Sequence, residues 1–139
     1  MQKFWNIFFK VGGVATLLGP FPSMVAPVKG TQFMLNANVN ELPTLIPVVG
    51  HWGVMVVGIG VLIYMCSWRK ELIQPILIYA LIEKIYMVWG CIYALSSLPN
   101  SDSFLTVVVS DSVQIVGFIV YFIWKSQQSK KDTTALETA

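Results

Sequence analysis

The chain has 139 residues, of which 55% are hydrophobic and only 12% charged, with a mean hydropathy of +0.68 and a net charge of +2. A soluble domain carries about 25% charged residues, so the composition points to one small domain whose apolar side chains face lipid as well as one another. The weak net charge gives no reason to expect a nucleic-acid partner.

Residues 4–19 form the first apolar run, interrupted by Asn6 and Lys10. Gly19, Pro20 and Pro22 end it, because proline removes a backbone donor and clashes with the preceding turn. Two readings compete. A secretory signal would use Lys3 and Lys10 as its basic region and Ala26 before its cut, but Met24 stands where a small residue is preferred. The alternative is a retained first transmembrane helix, slightly short, with Lys10 reaching towards one interface.

Residues 20–46 read as an outer loop. Prolines stand at 20, 22, 27 and 43, with Asn36, Asn38 and Asn40 between them. Phe33, Met34 and Leu35 fit either a short helix on the membrane surface or an irregular connection. The second span, residues 47–68, contains Gly50, Gly53, Gly58 and Gly60, the small residues that let membrane helices approach closely. His51, the chain's single histidine, sits near its start.

Arg69, Lys70 and Glu71 make a tight connection to the third span, residues 72–97, with Pro75 tolerated in its first turn. A turn around Pro99 and Asn100 leads to the fourth span, residues 103–124. The polar tail, residues 126–139, is expected to be disordered. The fold class is therefore all-α, a four-helix transmembrane bundle. Trp52, Trp68, Trp89 and Trp124 fit interface anchors.

Cys66 and Cys91 lie at the end of one span and deep in the next, so they are expected in opposite halves of the membrane as free thiols. A disulfide requires Cα atoms within about 7 Å.

The third span carries Glu83 and Lys84 side by side. Tyr79, Glu83, Tyr86, Gly90 and Tyr93 recur at intervals of four and three, which places them on one helical face. A charge at bilayer depth costs roughly 2.5–3.5 kcal/mol on insertion scales and marks a buried partner or a pathway. Glu83 is twelve residues past Glu71, about 18 Å inward from one side. Asp111 is eight residues past Ser103, about 12 Å inward from the other. In a core about 30 Å thick these depths coincide. Lys84 is then placed to bond Asp111, leaving Glu83 to meet His51 or to hold a proton; pairing of Glu83 with Lys10 or His51 is the alternative. Asp111 and Gln114 share a face, with Tyr121 further along it. The candidate ligand or proton site is thus His51, Tyr79, Glu83, Lys84, Tyr86, Asp111 and Gln114, open towards the outer surface. The competing account is that these polar groups bind helices together, each contact contributing about 0.6 kcal/mol.

Other chemistry is missing from the sequence. It has no nucleophile elbow and no phosphate loop, and Gly58-Ile59-Gly60 lacks the strand–turn–helix setting of a dinucleotide fingerprint. One histidine and two separated cysteines do not make a typical zinc site, and no cofactor is identified.

A short first span, a proline-marked loop and His51-Trp52-Gly53 opening a glycine-rich span resemble the small four-helix DoxX-like bacterial membrane proteins and related uncharacterised families. Arg69-Lys70-Glu71-Leu72-Ile73-Gln74-Pro75 followed by Ile82-Glu83-Lys84 adds to the likeness, which covers residues 4–124 as architecture. The resemblance implies an inner-membrane protein, linked in some relatives to redox or quinone metabolism. The expected role is a non-catalytic membrane module that binds a small lipophilic molecule or serves as an accessory subunit. Its partners would be the bilayer and a second copy or a neighbouring subunit. A quinone- or haem-linked redox component and a small proton or ion conductor are the alternatives.

Charge bias sets the orientation. Lys3, Arg69, Lys70, Lys125, Lys130 and Lys131 gather at the N-terminus, the 69–71 connection and the tail, against Lys29 alone in the opposite loops. The positive-inside rule places both termini in the cytoplasm. A reporter fused after Ala139 should be active when it is one that works in the cytoplasm and silent when it requires export; the reverse pattern would invert the topology.

Overall fold

The computed structural model describes residues 1–36, 40, 43–97 and 102–137, with side chains to residue 130. Its helices are α1 (Gln2–Leu18), α2 (Phe21–Val25), α3 (Pro27–Leu35), α4 (Ile46–Met65), α5 (Ile73–Ser97) and α6 (Phe104–Glu137). Short 3-10 turns, Pro43–Leu45 and Lys70–Leu72, lead into α4 and α5. The expected turn at Pro99 and Asn100, and Asn38 of the outer loop, lie outside the described residues.

Among the described residues, three segments are long and apolar enough to cross a membrane: Pro43–Met65, Lys70–Ser97 and Phe104–Lys130. α1, with 17 residues, spans about 26 Å. Its outward stripe is nevertheless apolar, with Ile7, Val11, Val14 and Leu18 all exposed. A soluble amphipathic helix carries charged and polar residues there.

Each long helix buries one seven-residue-periodic stripe. On α1 it is Trp5, Phe9, Gly12 and Thr16. On α5 it is Ile73, Leu77, Ala80, Lys84, Cys91 and Ala94, and on α6 it is Asp111, Gln114, Phe118 and Tyr121. The shared face of Asp111, Gln114 and Tyr121 is as expected from their spacing.

Helices α1 and α4 run in opposite directions and touch backbone to backbone. A Cβ on Gly13 would lie 2.7 Å from the Gly60 carbonyl oxygen, and one on Gly60 would lie 2.6 Å from the Leu17 nitrogen. No side chain fits either gap. Of the other α4 glycines, Gly58 faces open space, so only part of the glycine pattern serves packing.

The contact between α1 and α6 is made by rings. Trp5 meets Tyr121 edge-on, with centroids 5.1 Å apart, and lies 5.8 Å from Trp124. Phe8 meets Phe118 at 6.0 Å. Such pairs add about 0.5–1.5 kcal/mol each beyond their area. With Phe9, Ile59, Ile63, Cys66 and Leu77 these rings form the apolar core at the end nearest the N-terminus. Trp124 is therefore as much a core residue as an anchor. Lys70 closes this end: its Nζ donates to Asn6 Oδ1 at 2.5 Å and to the Ser67 carbonyl at 2.8 Å. A cation beside the carboxyl end of α4 also suits the helix dipole.

Three expectations need correction. The outer loop is more helical than expected: α3 carries the short helix that is one reading of residues 33–35, α2 precedes it, and both contact α4. Pro22 and Pro27 lie in the first turns of these helices, where a missing N–H costs nothing. Asn36, in the left-handed conformation, ends α3. The tail is not disordered over its length, since α6 continues to Glu137. No glycine or proline follows Trp124 to stop it, and extending an existing helix avoids the cost of nucleation. The tyrosine stripe of α5, finally, is not the buried one: Tyr79, Tyr86 and Tyr93 are 49%, 71% and 64% exposed. Cys66 and Cys91 are free, as expected, and both are buried.

Gly60→Ala should cost about 1–3 kcal/mol through overpacking, whereas Gly58→Ala should be neutral or gain about 0.5–1 kcal/mol. Unfolding in detergent measures both, and equal effects would contradict the α1–α4 crossing.

Candidate functional site

The core does not extend the full length of the helices. Beyond Ala80 on α5 and Phe118 on α6 the buried stripes turn polar, to Lys84 on one helix and to Gln114 and Asp111 on the other. These residues are held in register because α5 and α6 are antiparallel neighbours joined by a short connection. Lys84 Nζ donates to Asp111 Oδ1 at 2.6 Å, with both side chains buried. Lys84 is only 2% exposed. A buried charge persists only when paired, and Asp111 supplies that pair. One step further, Thr16 of α1 donates its hydroxyl to Gln114 Oε1 at 3.0 Å. Thr16 was not among the sequence candidates; its signal was its place, four residues past Gly12 on the buried stripe of α1.

Above this polar layer, at the end where α1 finishes and α6 begins, the helices enclose a cavity of about 540 Å³, partly open to its surroundings. Glu83, Lys84 and Asp111 lie in its wall. Its apolar wall includes Leu18 of α1, Val56 of α4, Met87 of α5 and Val107 of α6. Phe33 and Met34 of α3, with Pro20 and Pro22, close over one side. Hydrogen bonds fasten this end segment. Ser103 Oγ donates to the Leu35 carbonyl at 2.8 Å, linking α3 to the start of α6. Thr31 Oγ1 donates to Ser23 Oγ at 3.3 Å, linking α3 to α2.

Glu83 is half-buried, yet its Oε2 is sealed from solvent and has no hydrogen-bond partner. Because it follows the buried stripe by about 100°, it reaches the cavity wall while Lys84 reaches Asp111. Two other buried polar atoms without partners, Trp5 Nε1 and Ser67 Oγ, sit at the far end of the helices.

Of the seven sequence candidates, Glu83, Lys84 and Asp111 therefore share one cavity. Gln114 is buried behind it and bonded to α1. Tyr79 and Tyr86 face outward and do not join the cluster. His51 is exposed and outside the cavity wall, so it does not meet Glu83; Lys10 is also exposed. Its neighbour Trp52 lines the cavity instead. The hydroxyls of Ser103, Thr106 and Ser110 also line it. Thr106 and Ser110 lie four residues apart on α6 and Ser103 three residues before Thr106, just ahead of the helix, a polar spacing legible beforehand.

Comparison with family models, curated proteins and solved structures gives no match. The chemistry of this site rests on its own geometry.

Lys84→Met strands a buried carboxylate and should lower stability by about 3–5 kcal/mol, while Lys84→Met combined with Asp111→Leu should recover most of that loss. Unfolding in detergent reads both; a double variant no more stable than the single one would show that the pair is not the α5–α6 lock.

Proposed function

We propose that this chain is a multi-pass membrane protein, a bundle in which α1, α4, α5 and α6 all cross the bilayer. Its cavity binds a small lipophilic molecule. Three helices of spanning length support the membrane setting. The apolar outer face of α1, and the packing of α1 on α4 through Gly13 and Gly60, support a fourth span. The positive-inside bias orients both termini towards the cytoplasm, and the cavity then opens at the outer half. The architectural resemblance to DoxX-like proteins agrees with an inner-membrane setting.

The observation that carries the functional reading is the cavity of about 540 Å³ with Glu83, Lys84 and Asp111 in an otherwise mainly apolar wall. Small-molecule sites occupy about 300–1,000 Å³, are lined by apolar side chains and hold a few polar groups that orient the ligand. Polar glue alone accounts for Lys84–Asp111 and Thr16–Gln114. It does not account for the concave, mainly apolar wall that the described residues form beside them. Transport of protons or ions has less support, because the buried charges end at a pair with each other rather than in a chain of groups. An accessory role is compatible with ligand binding, and the exposed Tyr79, Tyr86 and Tyr93 stripe is the face a neighbouring subunit would meet.

The full chain in nanodiscs of zwitterionic lipid should bind 1-adamantanemethanol, a compact neutral apolar probe, saturably above the lipid background. Thr106→Trp, which places an indole at the cavity wall, should weaken this binding at least tenfold without lowering the thermal midpoint. Non-saturable uptake, or uptake indifferent to Thr106→Trp, would overturn the reading.

A further inference from the structure

The charges in the cavity wall do not balance. Lys84 and Asp111 neutralise one another across 2.6 Å. Glu83 is left over, and its Oε2 is buried with no donor from the protein. Among the described residues, the remaining polar side chains in the wall are neutral: Thr16, Trp52, Ser103, Thr106 and Ser110. An ionised Glu83 therefore places one uncompensated negative charge beside an apolar volume, where the interaction with a counter-charge is much stronger than in water.

From this imbalance we infer that the ligand of the cavity is a lipophilic amine, with a protonated nitrogen that pairs with the Glu83 carboxylate at the cavity wall and a hydrocarbon body that fills the space against Val56, Met87 and Met34. This rests on the lipophilic-ligand reading above and narrows it to one head-group chemistry. The competing heads fit less well. A quinone offers only acceptors, which gives the carboxylate neither a donor nor a counter-charge. An anion meets a wall whose net charge is already negative. A neutral alcohol donates one hydrogen bond but brings no counter-charge. A cation satisfies both needs of the carboxylate, and charge-assisted hydrogen bonds are roughly twice as strong as neutral ones. The cavity is also large enough to take a hydrocarbon cage or a short branched chain behind the nitrogen.

The inference is tested with three probes that share one apolar cage and differ in head group: 1-adamantanemethylamine, 1-adamantanemethanol and 1-adamantanecarboxylate. Each is titrated into the full chain in zwitterionic nanodiscs, with empty nanodiscs as the background and the tryptophan fluorescence, which includes Trp52 in the wall, as readout. The amine should bind at least tenfold more tightly than the alcohol, and the carboxylate weakest of all. Glu83→Gln keeps the shape and removes the charge. It should bring amine affinity down to that of the alcohol while leaving the alcohol unchanged. Glu83→Asp, which keeps the charge but withdraws it, should retain a preference for the amine.

Equal affinity of amine and alcohol for the native chain would overturn the inference, as would an amine preference that survives Glu83→Gln. The first of those results leaves the lipophilic site standing with a neutral head group or with Glu83 carrying only a proton. Failure of all three probes to bind saturably would instead remove the parent reading. A Glu83→Gln chain that does not fold is recognised by its thermal midpoint, and the native-chain ranking of the three probes then decides alone.

Discussion

The ion pair of Lys84 and Asp111 is the constraint around which the upper half of this molecule is arranged. A lysine at a core position of α5 cannot stay charged without a partner of opposite sign at the same height, and the pair fixes the register of α5 against α6 to within a hydrogen bond. A slip of one residue would rotate either group by about 100° and strand both. The rest of the polar layer follows. With Asp111 held against α5, Gln114 faces α1, where Thr16 bonds it. The pair is specific rather than strongly stabilising, since desolvating two charges offsets much of their attraction.

The two ends of the molecule are held by different physics. The end nearest the N-terminus is dense and aromatic, with Trp5, Phe9, Phe118 and Tyr121 packed around Ile63 and Leu77. Lys70 and Asn6 tie α1 to the turn after α4. The other end is looser. There α1 stops at Gly19-Pro20, α2 and α3 fold back over it, and the described residues leave a cavity between the helices. Rigid packing below and a cavity above are what a binding site on a stable scaffold requires. The polar layer marks the border between them.

Glu83 is unusual because it is adjacent to Lys84 and yet is not satisfied by it. Neighbouring residues on a helix diverge, so the lysine that lies nearest in sequence is committed to a different face. The carboxylate's missing partner is thus a consequence of helical geometry. It gives the cavity a chemical preference that its apolar wall alone would lack.

Much of this was legible in the sequence. Hydropathy and proline placement located α4, α5 and most of α6, and simple depth counting brought Lys84 and Asp111 to one level, because the rise per residue is constant and bilayer thickness is known. The face shared by Asp111, Gln114 and Tyr121 followed from spacing alone. What spacing did not decide was which of two adjacent stripes on α5 turns inward. Tyr79-Glu83-Tyr86-Tyr93 and Leu77-Ala80-Lys84-Cys91 have the same period and differ by about one residue in phase. On a helix that is apolar all round, hydrophobicity cannot choose between them. The choice was made by close packing, which favours the stripe with Ala80, Cys91 and Ala94 because small residues let helices approach. The exclusion of His51, the recruitment of Thr16 and Trp52, and the folding of α2 and α3 over the cavity depend on contacts between distant segments. The sequence by itself located the long helices and brought Lys84 and Asp111 to one level, through local periodicity and charge. Only the tertiary structure decided which face is inside, and that the described residues form there a cavity with one unpaired carboxylate in its wall.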